Sequence, residues 1–279
     1  MKIPTGIVLY NPDLERLKEN IESIYDGSSD VFLVDNGSSN ILNIEELLKN
    51  YDKCFLIKRK TNEGIASALN ILCQTAINNG YEYILTLDQD SVCPDNIFIE
   101  YKNNMGNNQV GIICPEVVDR NSNKKIDSDK SEEVDKCITS ASLVLLKAWQ
   151  DVNGFDETMF IDGVDFDFCY RIRKKGYKII KLHTVVLLHE LGHIKVKRFL
   201  FWEISIFNHS AFRKYYIARN IVFLARKKRK KSLVIRADLQ VIKQIILVLL
   251  YEDNKKEKIR SIKNGYLEGK KALINSKWS

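Results

Sequence analysis

The chain has no Cys-x-x-Cys pair, no long uncharged apolar run and no Gly-rich phosphate loop near its start. Six cysteines at positions 54, 73, 93, 114, 137 and 169 are scattered singly. That spacing excludes a dense disulfide framework and a cysteine-built zinc site, and it suits reduced thiols in a cytoplasm. The most apolar stretch, QIILVLLY, is far shorter than the roughly 20 residues that span a bilayer. The opening MKIPTGIVLYNPDLER has no continuous apolar region and no small-residue cleavage site, so no secretory signal is read. Neither secretion by that route nor membrane integration is expected. A nucleotidyltransferase would need a Gly-rich loop with a basic residue, which YNPDLERL does not offer. No internal repeat is present.

What is abundant is charge, unevenly placed. The net charge of +7 combines 43 Lys and Arg with 36 Asp and Glu. From Lys195 onward the chain holds 22 cations against 6 acids, leaving 21 against 30 in the first 194 residues. An acidic front and a basic rear imply surfaces with different partners. The rear contains six consecutive cations, Arg226 to Lys231, beside apolar residues at helical spacing. Contact with an anionic membrane is one use of such a run; nucleic acid is not expected, because no recognised binding motif accompanies it.

The first half alternates strands with helices. Residues 3–10, 30–36, 54–58 and 81–88 read as apolar, β-branched strands, and residues 12–25 and 64–80 as helices. Near-continuous apolar strands between helices predict an α/β fold with a mainly parallel sheet covered on both faces. The polar stretch 119–136 reads as a mobile loop over a site, and 164–180 as a helix running into a strand. From about Asn208 the chain reads as helical. The expected division is a catalytic domain over 1–205 and a basic helical region over 206–279.

Ligands of open α/β sheets sit beyond the carboxyl ends of the strands. Asp35 closes the second strand, and Asp88 and Asp90 close the fourth in LTLDQDS. Acids so placed suit Mg²⁺ or Mn²⁺ together with substrate phosphates.

Four blocks in order, IVLYNP, FLVDNGSSN with TNEGIASALN, ILTLDQDS and GFDETMFIDGVDFDFCYRIRKKGYKI, give the chain a family likeness. It resembles family 2 glycosyltransferases of the GT-A fold, and among them is most similar to bacterial rhamnosyltransferases. The resemblance implies an inverting, metal-dependent transfer from a nucleotide diphosphate sugar, dTDP-L-rhamnose favoured, to a glycan or lipid-linked acceptor of cell-surface polysaccharide. A UDP-linked glucose, galactose or N-acetylglucosamine is the alternative donor. It further implies that Tyr10, Asn11 and Asp35 hold base and ribose. Asn62 and Gly64 precede a helix N-terminus facing the diphosphate. By the same resemblance Asp88 is expected to reach the ribose or the metal shell, and Asp90 to ligate the divalent cation.

In VDFDFCYR the family's acidic pair maps onto Val164 and Asp165, so the usual glutamate is missing and Asp165 is the expected general base. Asp162 is a second candidate for the base or an acceptor contact, and Asp167 is expected to support its helix. In RKYYIARN, Arg219 is expected at the donor, near Arg213, Tyr215 and Asn220. The resemblance also implies that the acceptor is met at the inner face of the cell membrane, with the basic helices as a peripheral anchor. VLLHELGH contains His-Glu-x-x-His, the zinc-protease pattern. The preceding KIIKLHTVVLL is strand-like, and Phe199 stands where the extended protease pattern needs a third histidine. The match is therefore read as coincidence; the resemblance implies that His189 approaches the metal or diphosphate, which leaves His193 incidental.

Overall fold

Helices wrap both faces of one eight-stranded sheet in the first part of the chain, because its strands are too apolar to face water. The computed structural model describes residues 2–119, 131–189, 195–199 and 202–274, with the backbone alone at 119, 189, 195–199 and 202–205. The chain divides into two compact units, Met1–Thr158 with Val164–Glu190, and Met159–Gly163 with Leu191–Ser279.

In the first unit β1 (Thr5–Leu9), α1 (Leu14–Tyr25), β2 (Val31–Asp35), α2 (Ile41–Leu48), β3 (Cys54–Lys58), α3 (Ile65–Asn78) and β4 (Tyr83–Asp88) alternate along the chain. After α4 (Ile97–Asn104) come β5 (Val110–Asp119), β6 (Ser131–Glu133), β7 (Ser142–Leu145), α5 (Leu146–Asp151), α6 (Val164–Lys174) and β8 (Lys178–His189). The sheet order is β3-β2-β1-β4-β7-β5-β8-β6. β3, β2, β1 and β4 run parallel, β7 runs antiparallel between β4 and β5, and β5 pairs parallel with β8. Every residue of β2 is buried, as expected of a strand covered on both faces. β3 closes the sheet edge and leaves Phe55 half exposed. α1 begins at Asp13, whose carboxylate accepts from Arg16 N at 3.1 Å, and it buries Leu17, Ile21 and Ile24 at helical spacing.

One part of the loop expected over 119–136 is sheet. Ser131–Glu133 pairs antiparallel with β8, and charge explains why such a polar segment docks there. Glu132 meets Lys181 at 2.5 Å, Glu133 meets Lys178 at 3.2 Å, and Asp135 meets Arg173 at 2.6 Å.

The second unit carries a hairpin, β9 (Lys195–Phe199) with β10 (Trp202–Ile206), and three helices. These are α7 (Ala211–Lys227), α8 (Lys231–Tyr251) and α9 (Lys255–Lys271), packed around Ala218, Val222, Val241, Val248 and Ile262. No described helix is long and apolar enough to cross a membrane. α7 and α9 touch backbone to backbone because α9 carries Gly265 and Gly269 at the contact. A Cβ on Gly265 would lie 2.2 Å from the Tyr215 carbonyl oxygen, and one on Gly269 would lie 2.4 Å from that of Arg219. Gly265→Ala is therefore expected to cost about 3 kcal/mol through overpacking, read as a lower midpoint in denaturant.

Candidate active site

The parallel strands end side by side. The register sets Leu9 against Asp35 and Asp35 against Lys58, with Val8 against Asp88, so the residues after β1, β2, β3 and β4 share one edge. Hydrogen bonds stitch that edge together. Tyr10 N donates to Gln89 Oε1 at 2.8 Å, joining β1 to β4. Asn11 N donates to Ser38 Oγ at 2.8 Å, and Asn11 Oδ1 accepts from Ser39 N, joining β1 to the loop after β2. Asn36 Nδ2 donates to Asn62 Oδ1 at 2.8 Å, and the same oxygen accepts from Gly64 N at 2.9 Å. Gly37 lets the two loops close up: its φ is +81°, and an added Cβ would lie 3.0 Å from the Thr61 carbonyl carbon.

Asp35 lies within this network, 1% exposed. Its Oδ2 accepts from the amides of Gly37 and Ser38 at 3.1 and 3.0 Å, while Oδ1 is buried with no hydrogen-bond partner. A desolvated carboxylate oxygen left unpaired costs free energy, so it marks a place built for an external donor.

β4 hands over to a turn in which the Asp88 carbonyl accepts from Ser91 N and from Asn20 Nδ2, a polar group set into the buried face of α1. Asp90 is exposed on that turn. Asp88 N donates to Ser140 Oγ at 3.2 Å, which ties the segment before β7 to the same edge. An isolated bridge pairs Val92 antiparallel with Leu188, bringing the backbone of His189 to the Asp90 turn. The His189 side chain and residues 190–193, hence most of the HELGH segment, lie outside the described residues. His189 itself ends a strand rather than sitting inside a helix. Among the described residues no group of three or more acidic, histidine or cysteine side chains converges as a ready metal cage.

Asp165 stands in the first turn of α6, partly exposed, its Oδ1 accepting from Phe166 N at 2.9 Å. One turn further on, Cys169 lies 3.7 Å from Cys137 and accepts from Cys137 N, which fastens α6 to the segment that also holds Ser140. A hydrogen bond with Cys114 and then burial hold the Cys137 thiol well above its ordinary range, and a bond with Cys137 does the same to Cys169. These thiols stay neutral and act as packing. Asp167 is fully buried and holds Arg171 Nε at 2.7 Å, while Arg171 Nη1 donates to the Val152 carbonyl at 2.7 Å. This pair anchors α6, so Asp165 rides on a fixed helix.

The remaining two residues belong to the second unit. Asp162, at φ +64°, is gripped by the Arg213 guanidinium through contacts of 3.0 and 3.2 Å. Buried Asn220 donates to the carbonyls of Met159, Ile161 and Asp162, and Phe160 stacks on Tyr216 at 4.9 Å. Arg219 is buried, with Nε on Glu268 at 3.0 Å and Nη1 on Asn220 at 2.8 Å. Its strongest described partners are therefore protein groups.

The structure thus brings Tyr10, Asn11, Asp35, Asn62, Gly64 and Asp88 onto one edge, with Asp90 on the adjoining turn. The side chains that link this edge, Asn36, Ser38, Gln89, Asn20 and Ser140, are additional to the residues expected from the sequence. Asn36, Ser38 and Gln89 lie inside the FLVDNGSSN and ILTLDQDS blocks, whereas Asn20 shows only as a polar residue on an otherwise apolar helix face and Ser140 only as one in a loop.

A family model described as Glycosyl transferase family 2 matches residues 6–172. The chain is 29% identical to the dTDP-rhamnosyl transferase RfbF of Shigella flexneri, over 94% of this chain and 92% of that protein. Among solved structures it is similar to S. aureus TarS in complex with UDP-GlcNAc, at a TM-score of 0.59 and 14% identity over 95% of this chain and 80% of that one. It is also similar to GalNAc-T7 with UDP, GalNAc and Mn²⁺, at a TM-score of 0.58 and 13% identity over 78% of this chain and 47% of that one. Likeness at this level concerns the fold, which is of the GT-A type.

Proposed function

This chain belongs to glycosyl transferase family 2 and is an enzyme of sugar transfer, and on that footing we propose that it moves L-rhamnose from dTDP-L-rhamnose to a glycan or lipid-linked acceptor. The observation that carries a nucleotide donor is the buried, unpartnered Oδ1 of Asp35 at the strand edge. A thymine ring offers an N–H that such an oxygen can accept. Tyr10, half exposed beside it, has a ring face for the base, and Asn11 borders the ribose. The α3 N-terminus at Gly64, positioned by Asn62, offers amides to the diphosphate. The choice of thymidine and rhamnose is supported by the likeness to RfbF over nearly its whole length.

Asp88 and Asp90 fit a divalent cation by their chemistry. Two hard oxygen donors at a strand end suit Mg²⁺ or Mn²⁺, which fill the rest of their shell with water and diphosphate oxygens. His189 is proposed near the same place. When bound, such a cation neutralises the charge of the leaving diphosphate. Asp165 takes the proton from the acceptor hydroxyl as that oxygen attacks the anomeric carbon from the face opposite the diphosphate, which inverts the centre in one displacement. Asp162, its carboxylate already engaged by Arg213, orders the loop before α6, and Arg219 supports that arrangement from α7. The enzyme works at the inner face of the cell membrane, held by its basic C-terminal helices.

The test is turnover on a donor panel with Mn²⁺ present. Release of dTDP from dTDP-L-rhamnose is expected, with little nucleotide from UDP sugars; the reverse preference contradicts the rhamnosyl reading. Asp35→Ala is expected to raise the donor KM by about 10- to 100-fold, the loss of a hydrogen bond to a charged group.

A further inference from the structure

We propose that the outer face of α8 docks on an anionic lipid bilayer. α8 has two apolar faces. Ala237, Val241 and Val248 are buried in the core of the second unit. Ile235, Leu239, Ile242, Ile246 and Leu249 follow one another at alternating steps of four and three, so they form a second stripe along the helix. Each of the five is 48% to 62% exposed. The stripe runs for about 20 Å at 1.5 Å per residue. Contiguous exposed apolar surface of this kind marks an interaction site.

Charge identifies the occupant. Arg236 and Lys243, both exposed, flank the stripe on one side. On the other flank Asp238 meets Lys270 of α9 at 3.8 Å, so α9 borders the stripe there. The outward face of α9 is cationic, with Lys256, Arg260, Lys263 and Lys271 all exposed. An apolar stripe between two rows of cations matches the boundary between acyl chains and anionic headgroups. A second copy meeting this face across a two-fold axis would set cation against cation. Nucleic acid would leave the stripe uncovered.

This inference deepens the membrane contact proposed above and rests on that reading for its partner, but it moves the grip. Two cations of the Arg226–Lys231 run are used inside the unit. Arg226 Nη1 donates to the carbonyls of Gly269 and Ala272 at 2.8 Å, and Lys227 is buried. Arg229, Lys230 and Lys231 of that run stay exposed and add charge, while the apolar part of the attachment falls to α8.

Co-sedimentation of the full chain with vesicles tests this, using phosphatidylcholine alone and phosphatidylcholine mixed with phosphatidylglycerol. Binding is expected only to the mixed vesicles, and it should weaken as salt is raised. Replacing Leu239 and Ile246 together by Gln keeps every charge and should weaken that binding by at least about tenfold. Leu42→Gln, at an exposed apolar position of α2, should bind as the parent does. Unchanged binding of the double variant overturns the stripe while leaving a purely electrostatic contact standing. No vesicle binding by the parent overturns both. Self-association that the double variant abolishes, in place of vesicle binding, assigns the stripe to a second copy and overturns the proposal. Thermal stabilisation by dTDP-L-rhamnose with Mn²⁺, measured on the same variants, reports on the transferase reading separately.

Discussion

Asp165→Asn is expected to lower turnover about a thousandfold while leaving donor affinity unchanged. Loss of a positioned general base costs about 10²- to 10⁴-fold in rate. Asn matches Asp in shape, so it keeps the bond to Phe166 N within reach of the helix start, but it cannot accept the acceptor proton. α6 is seated by other residues, since Arg171 and Cys169 hold it through Asp167, Val152 and Cys137. A small effect on stability and a large effect on rate should therefore separate cleanly. Asp162→Asn is the comparison. Its carboxylate is already committed to Arg213, so its loss is expected to act through loop order, raising KM more than it lowers kcat. Single-turnover kinetics on both variants decides the assignment; a larger chemical-step defect in the Asp162 variant would move the base to that residue.

Glu252→Gln is expected to destabilise the second unit by about 3 to 5 kcal/mol. Glu252 is 3% exposed and lies between two buried ammonium groups, Lys214 Nζ at 2.5 Å and Lys258 Nζ at 3.0 Å. Lys258 Nζ also donates to Asn208 Oδ1 at 2.6 Å, so the cluster ties the start of α7 and the α8–α9 turn to the loop after β10. Removing the only carboxylate described between them leaves two desolvated cations facing each other, and breaking a buried pair costs far more than a surface one. A fall in melting temperature on the order of 10 °C is the expected reading for a chain of this size. Replacing Glu268, which is half exposed beside Arg219, should cost much less.

Much of this fold was legible because burial writes itself into residue order. β1, β2 and β4 are covered on both faces and so appear as continuous apolar runs, and α1 repeats its apolar residues at helical spacing. Asp35 and Asp88 could be read as site residues because a charge that ends such a run must stand at a strand terminus. Pairing in the far half of the sheet was less accessible. Ser131–Glu133 looks like loop because its partners, Lys178 and Lys181, lie about 50 residues away and supply the charge that makes a polar strand stable there. The stripe on α8 was equally hidden. Ile235 and Val241 are both simply apolar in sequence, and only the packing of α7 and α9 determines which of the two is covered. Arg219 shows the same limit: a cation near a motif carries no sign of the Glu268 that holds it.

The central claim is that the edge formed by Tyr10, Asn11, Asp35 and the Asp88–Asp90 turn seats a thymidine diphosphate sugar together with a divalent cation. Thermal shift of the full chain with dTDP-L-rhamnose, with and without Mn²⁺, tests it most directly, with Asp35→Ala and Asp90→Asn run in parallel. The account predicts stabilisation only when nucleotide and metal are both present, and its loss in either variant. Equal stabilisation of the parent and both variants, or none of the parent by any nucleotide sugar, would contradict it.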